Sequence, residues 1–109
     1  GRLGLMLQYH CEVEHLFNVP STAFTPAPKV GSAIVRLKPY KDKPLEANDP
    51  KILEMVIRTA FNQRRKTLKN SLKTLLRESR KPTAVDLSLR PETLSLKDYV
   101  EISNALTGD

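Results

Sequence analysis

The pattern of hydrophobic and polar positions changes period along the chain, and each period predicts a different element. Crowded apolar residues over positions 2–11 predict the end of a mostly buried helix. Residues 13–19 and 32–38 predict two strands, the second from a clear alternation of apolar and polar side chains. The strands are expected to pair as a long-looped antiparallel hairpin. Because an isolated pair of strands is marginal in water, this hairpin is expected to need a sheet that the chain does not contain.

The pattern becomes helical after a polar linker over residues 39–49, which prolines punctuate. Asp49 is predicted to cap a first helix that has Pro50 in its first position. An apolar stripe starting at Leu68 predicts a second, continuous helix, which is expected to end at Lys81-Pro82. These residues predict short helices that pack together rather than a second sheet.

A third helix is predicted to begin near Ser95. Ser95 and Asp98 have the spacing of a capping box, and Leu94 with Tyr99 has the spacing of a hydrophobic staple. The sequence therefore predicts a mostly α chain, with one helix and an antiparallel hairpin followed by a compact group of three or more short helices.

The positive charge of the chain is concentrated in one segment. The net charge is +6, yet residues 58–81 hold nine basic residues and a single acidic one, and the rest of the chain carries −2. Such a local excess is expected of a surface that binds polyphosphate. The alternative is an ordinary solvated helix face, although such faces usually carry interleaved glutamates. On a continuous helix, one flank beside the apolar stripe would hold Lys66, Lys69, Lys73 and Arg77.

The segment from Phe24 to Val30 predicts a stiff loop that carries one aromatic side chain. Pro20, Pro26 and Pro28 each fix their own φ angle and favour extended backbone in the residue before them. Phe24 is therefore well placed to stack on a flat ligand such as a nucleobase. From the residues alone, a role in closing the end of a sheet is equally well supported.

Other chemistry finds little support in the sequence. His10, Cys11, Glu14 and His15 are close in the sequence but lack the spacing of a zinc site, so no metal site is predicted. No complete catalytic set and no glycine-rich phosphate loop is present. The single cysteine cannot form an internal disulfide, which fits a reducing, cytoplasmic setting. No apolar run reaches the length that spans a bilayer.

Several of these motifs, taken in order, resemble one known family. The loop from Phe24 to Val30 with the strand that follows it, the segment from Phe61 to Leu72, and the segment from Arg90 to Tyr99 are similar to motifs of the ribosomal RNA adenine dimethyltransferases. The stretch from Gly1 to Cys11 resembles the helix that precedes the penultimate strand in that family. The likeness is greatest to its small-subunit branch, the kasugamycin-resistance dimethyladenosine transferases.

The resemblance implies an arrangement in two domains and a reaction. Residues 1–39 would be the C-terminal end of a Rossmann-like methyltransferase domain that is incomplete here, and residues 40–109 a small helical domain that docks on rRNA. The parent enzyme would transfer methyl groups from S-adenosylmethionine to the N6 atoms of two adjacent adenosines in small-subunit rRNA, during ribosome maturation. The implied partners are that rRNA and the immature small ribosomal subunit in the cytoplasm, with no membrane involved.

The resemblance also implies roles for particular residues. Phe24 would hold the target adenine, and Gly31 stands where the family is expected to have an acidic residue. The residues predicted to bind nucleic acid are Lys29, Arg64, Arg65, Lys66, Lys69, Asn70, Lys73 and Arg77. No residue of this chain is predicted to bind the cofactor, because the family's cofactor motifs would precede Gly1. The chain alone is therefore expected to be inactive, and its hairpin edge to be open to pairing with a second chain.

Two alternatives stay open at this point. One is a free-standing basic RNA-binding module without enzymatic activity, which would have to fold without the missing sheet. The other is a large-subunit, antibiotic-resistance adenine methyltransferase, against which the segment from Asn62 to Leu72 speaks.

Overall fold

The computed structural model describes residues 1–23 and 31–108. In chain order its elements are α1 (Arg2–His10), β1 (Cys11–Val19), a 3₁₀ turn (Ser21–Ala23), β2 (Ser32–Pro39), α2 (Pro50–Phe61), α3 (Leu68–Ser71), α4 (Lys73–Leu76), a second 3₁₀ turn (Pro91–Thr93) and α5 (Leu96–Thr107). The expected helix, hairpin and helical region are therefore present in the described residues, with element ends that differ from the sequence prediction by one or two residues before residue 50. The division into two domains at residues 39 and 40 stays a prediction.

The core lies where α2 packs against α5. Leu53, Val56, Ile57 and Ala60 recur at helical spacing on α2, and all four are fully buried. Burying one large aliphatic side chain contributes about 1.5–3 kcal/mol relative to leaving it exposed, so this face holds the two long helices together. Tyr99 and Ile102 of α5, with Leu68 of α3 and Leu72 between α3 and α4, complete the centre of the core.

Helix α1 shares this same core. Leu5 and Tyr9 are buried in the cluster that α2 and α5 form. The Tyr9 hydroxyl accepts a hydrogen bond from the backbone N–H of Ala47 at 3.2 Å, which ties α1 to the linker. The hydrophobic cluster thus extends across the predicted boundary between the two segments.

The hairpin of β1 and β2 has both faces open within the described residues. The strands are antiparallel, with Val13 opposite Leu37, and Leu16 is the extra residue of a bulge between His15 and Phe17. The large apolar side chains of the hairpin that are more than a third exposed are Val13, Leu16, Phe17, Ile34, Val35 and Leu37. A Glu14–Arg36 ion pair at 3.5 Å crosses the strands. This exposure agrees with the expectation that the hairpin needs a covering sheet.

Both predicted helix starts are confirmed. The Asp49 side chain accepts from the backbone N–H of Lys51 at 3.0 Å, with Pro50 as the first residue of α2. Ser95 and Asp98 form a complete capping box at α5, with each side chain accepting from the other residue's backbone N–H. These caps satisfy N–H groups that the helices leave without intrahelical partners.

The prediction of one continuous helix from Leu68 to Lys81 is wrong. The backbone departs from helical dihedral angles at Leu72, with φ −100° and ψ 10°, which separates α3 from α4, and α4 ends at Leu76. Beyond α4 a tertiary contact takes over from the helix: the N–H groups of Arg80 and Lys81 both donate to the carbonyl of Ala105 on α5, at 3.1 and 3.3 Å. Periodicity alone carries no information about such long-range bonds, which here override local propensity.

In the part of the chain that the structure describes, no helix is both long enough and apolar enough to cross a membrane.

Candidate nucleic-acid interface

The segment from α2 to α4 exposes its charged side chains and packs its leucines against the core. Leu68 and Leu72 face the core with almost no exposed surface, and Ser71 between them is buried as well. The exposed side chains here include Arg64, Arg65, Lys66, Lys69, Asn70, Lys73 and Arg77. These seven residues are named the basic surface below, and all were predicted to bind nucleic acid. The structure places every one of them where solvent, and therefore a phosphate, can reach it.

The break at Leu72 removes only part of the predicted row of cations Lys66, Lys69, Lys73 and Arg77. Lys66 lies before α3 begins, so it is not on a common helix with the other cations. The backbone bonds Leu72 N–H to Leu68 O and Leu76 N–H to Leu72 O nevertheless keep four-residue spacing through the break. Lys69, Lys73 and Arg77 follow that same spacing and stay exposed. They form the regular part of the basic surface, and Arg64 to Lys66 form a turn that precedes it.

A strap of backbone, residues 87–92, holds the start of α3. The N–H groups of Leu68 and Lys69 donate to the carbonyls of Leu89 and Leu87, at 2.9 and 2.8 Å. These are two of the N–H groups that a helix start leaves without intrahelical partners. They are engaged by protein, so a phosphate at this surface must be bound by side chains rather than by the end of α3.

The strap is itself anchored at its C-terminal end, and a local turn forms at its other end. The buried Tyr99 hydroxyl donates to the carbonyl of Pro91 at 2.8 Å, and Pro91 is buried beneath it. At the other end, the Asp86 carboxylate accepts from the hydroxyl and the backbone N–H of Ser88, at 2.6 and 3.0 Å. These hydrogen bonds lower the pKa of Asp86, since they favour its charged form. The strap therefore has a fixed position relative to α3 and α5.

Two contacts orient the Arg64 side chain. Its guanidinium forms an ion pair with Glu92 of the strap and lies 5.8 Å from the centre of the Phe61 ring. Both charged side chains are more than half exposed, so the pair by itself stabilises the fold only slightly. Arg64 is thus not a free cation: one of its terminal nitrogens is engaged by a carboxylate, and its remaining donors stay available.

Arg90 is a cation of this surface that the sequence reasoning missed. Its Nε donates to the carbonyl of Arg65 at 3.0 Å, which brings the strap against the turn before α3. The Thr93 hydroxyl donates to the Arg90 carbonyl at 2.8 Å and fixes the backbone there. Arg90 is exposed and lies well outside the basic stretch in sequence. Its only sequence signal was its place in the last family-like motif, which gives no distance to Arg65.

Two predicted site residues, Phe24 and Lys29, fall outside the described residues. The strand ends that flank them are described, and Val19 is paired with Ser32. His15 makes a hydrogen bond with Asn18 at 2.8 Å. Within residues 1–23 and 31–108, no group of three or more His, Cys, Asp or Glu side chains is placed to hold a metal ion.

A separate cavity of 590 Å³ lies at the base of the hairpin, beside the start of α5. Its charged lining residues are Glu12 and Lys97, so it lacks the cationic excess of the basic surface. The basic surface is therefore the part of the described chain whose chemistry most clearly suits a polyanion.

Comparison with known proteins identifies the family. The sequence profile of the ribosomal RNA adenine dimethylase family matches residues 1–107. The chain belongs to that family. It is 59% identical, over 97% of its length, to a ribosomal RNA small subunit methyltransferase A of Pseudomonas aeruginosa, and 52% identical, again over 97%, to one of Saccharophagus degradans. Each match takes in 40% of the relative's length, so this adenine dimethylase chain spans less than half of the curated relatives that it matches.

Two solved structures share the fold of this chain. A 23S rRNA methyltransferase, ErmE, superimposes with a TM-score of 0.64 at 22% identity, over 98% of this chain and 46% of that one. A dimethyladenosine transferase of Plasmodium falciparum gives 0.61 at 22% identity, over 94% and 46%. The resemblance inferred from the sequence motifs is therefore confirmed at the level of the family, and the small-subunit relatives are the ones with high sequence identity.

Proposed function

We propose that this chain is the rRNA-docking part of an S-adenosylmethionine-dependent adenine N6-methyltransferase of small-subunit rRNA. The parent enzyme would dimethylate two adjacent adenosines while the small ribosomal subunit matures in the cytoplasm. The observation that carries the proposal is the basic surface: a family member exposes its basic segment and buries Leu68 and Leu72 between those cations. Arg90 of the strap is added to the residues that would bind phosphate.

The roles divide between the two ends of the chain. The basic surface would bind rRNA phosphates, with Asn70 as a hydrogen-bonding partner. Phe24, between the two strands of the hairpin in sequence, would stack on the target adenine, and Lys29 beside it would bind nucleic acid. Extruding a base from its stack costs a few kcal/mol, and stacking it on an aromatic ring restores about 1–3 kcal/mol per base. In the full-length enzyme, Phe24→Ala should therefore reduce turnover more than rRNA affinity.

The alternative of a free-standing RNA-binding module is less well supported. Six large apolar side chains of the hairpin are exposed, from Val13 to Leu37. A protein that functions without further chain would leave this apolar surface in water, where it favours association. We propose instead that the rest of the enzyme covers the hairpin. In its absence, the open edge would pair with a second copy of the chain.

The salt dependence of RNA binding tests the docking role. If about five phosphates are contacted, the logarithm of affinity should fall with the logarithm of salt concentration at a slope of about −3.5 to −4.5. Replacing Lys69, Lys73 and Arg77 together with glutamine should make that slope shallower by about 2 to 2.7, since each lost contact removes about 0.7 to 0.9. The measurement is fluorescence anisotropy of labelled small-subunit rRNA titrated with the full-length protein.

A matched variant controls for the loss of charge itself. Lys41, Lys51 and Lys97 are exposed and lie outside the basic surface. Replacing these three with glutamine removes the same net charge and should leave the slope nearly unchanged. Equal flattening by both triple variants would show that net charge, and not this surface, governs binding, and an unchanged slope in the first variant would remove α3 and α4 from the interface.

The chain alone is proposed to bind no S-adenosylmethionine and to transfer no methyl group. Isothermal titration calorimetry on the isolated chain should give no saturable heat with the cofactor. A stoichiometric binding curve would overturn this part of the proposal.

A further inference from the structure

Glu92 is the one acidic side chain that forms an ion pair with a residue of the basic surface within the described part of the chain. A carboxylate beside a phosphate-binding surface is unfavourable on simple Coulomb grounds, because it repels the phosphate. Its presence therefore needs an explanation. Two are open: Glu92 competes with RNA for Arg64, or it holds the surface in shape.

The geometry points to the second. We propose that Glu92 is a positioning residue of the RNA interface, which holds Arg64 and the strap together so that the cations of both present one surface. This inference rests on the proposed RNA-docking function. It assigns to an acidic residue a favourable effect on the binding of an anion, which neither the sequence pattern nor the charge count predicts.

The contacts around Arg64 support a positioning role. Glu92 engages one terminal nitrogen of the guanidinium, and the face of the Phe61 ring lies on another side. A guanidinium has five N–H donors, so one engaged nitrogen leaves several for a phosphate. A planar cation held in this way loses less conformational entropy on binding than a free side chain would.

The strap extends the effect of the pair to a second cation. Arg90 lies two residues before Glu92 and donates to the carbonyl of Arg65, the neighbour of Arg64. The turn and the strap are therefore joined twice, once by the ion pair and once by the Arg90–Arg65 bond. Loss of the ion pair leaves only the second link at this end, and the relative positions of Arg64, Arg65 and Arg90 become less fixed.

The test is the variant Glu92→Gln in the full-length protein, with binding to labelled small-subunit rRNA measured by fluorescence anisotropy over a series of salt concentrations. We expect affinity to weaken by about twofold to fivefold, the range that exposed ion pairs usually support. We also expect the salt slope to become shallower by up to about one contact, or 0.7 to 0.9. Affinity that is unchanged or tighter would overturn the proposal, because it would mean that Glu92 only competes for Arg64.

Glu78 provides the matched control. It is exposed, lies in the same basic stretch, and forms no ion pair among the described residues. Glu78→Gln removes the same charge without breaking a pair, so it should leave affinity unchanged or slightly tighter. Opposite effects of the two substitutions support a positioning role, and equal effects on affinity contradict it.

A double-mutant cycle separates positioning from loss of stability. In an Arg64→Gln background the partner of Glu92 is gone, so Glu92→Gln should no longer weaken binding. Glu92→Asp, which keeps the charge, should retain more affinity than Glu92→Gln. If Glu92→Gln weakens binding equally in both backgrounds, Glu92 does not act through Arg64 and the inference is wrong.

The proposed function can fail separately from this inference. If the Lys69, Lys73 and Arg77 variant leaves the salt slope unchanged, the docking role is wrong and the inference fails with it. If that variant flattens the slope while Glu92→Gln does not weaken binding, the docking role stands and only the positioning role is refuted.

Discussion

Replacing Tyr99 with phenylalanine tests whether the strap is anchored as described. Tyr99 is fully buried, and its hydroxyl donates to the carbonyl of Pro91 at 2.8 Å. The substitution removes only the hydroxyl, so the packing of the ring against Phe61, with centroids 6.1 Å apart, is kept. The free energy of unfolding therefore reports the hydrogen bond and not a cavity.

The expected loss follows from what remains at the Pro91 carbonyl. The backbone N–H of Leu94 is the other donor to it, at the long distance of 3.4 Å. A buried hydrogen bond contributes about 0.5–1.5 kcal/mol net, and a buried acceptor left without a good donor costs about 1–3 kcal/mol. Because the Leu94 bond satisfies the carbonyl in part, we expect a loss of about 1.5 kcal/mol.

Urea unfolding followed by circular dichroism measures this loss. With a urea dependence of about 1.5 kcal/mol per molar, the midpoint should fall by about 1 M. Tyr40→Phe is the control, since the Tyr40 hydroxyl makes no hydrogen bond within the part of the chain that the structure describes. A midpoint that falls by less than about 0.3 M for Tyr99→Phe, or by the same amount in both variants, would refute the anchoring of the strap.

Two further predictions concern the same helix. Burial raises the pKa of the Tyr99 hydroxyl, and the charges of Glu92 and Asp98 raise it further. The neutral hydroxyl therefore contributes its full stabilisation of the fold below about pH 10, and this contribution is lost as the pH rises above that value. Unfolding free energy should then fall by up to about 1.4 kcal/mol per pH unit, and an equally steep fall in Tyr99→Phe would contradict this. Gly108 ends α5 at φ 79°, where an added Cβ would lie 2.5 Å from the Arg80 side chain. Gly108→Ala should therefore lower the free energy of unfolding by about 1 kcal/mol, as measured by thermal denaturation. Gly4→Ala on α1, where nothing lies within 4 Å, should be neutral or stabilising, and equal effects of the two changes would refute the end geometry of α5.

The sequence was sufficient to predict the elements whose signals are local. Asp49 and Ser95 are polar residues placed directly before apolar helical stripes, and both are caps in the structure. The hairpin followed from two short apolar runs, and its need for a covering layer followed from its size. The basic surface could be predicted from the high density of positive charge in one segment, where leucines that face the core are interspersed with cations that face solvent.

The features that the sequence could not predict depend on contacts between distant residues. The helix from Leu68 was expected to continue, but the bonds of Arg80 and Lys81 to Ala105 draw the chain onto α5. Arg90 and Glu92 join the basic surface through contacts with residues 25 and 28 positions earlier. A local sequence pattern gives no information about contacts between residues so far apart, so the strap could be described only from the structure.

The central claim is that the basic surface docks rRNA for a methyltransferase whose other residues carry out the reaction. Its most direct test is steady-state methyl transfer from S-adenosylmethionine to unmethylated small ribosomal subunits by the full-length protein. Replacement of Lys69, Lys73 and Arg77 with glutamine should raise KM by about tenfold or more and leave kcat within about twofold, because docking contacts act equally on the bound substrate and the transition state. An unchanged KM, or a fall in kcat at constant KM, would contradict the account.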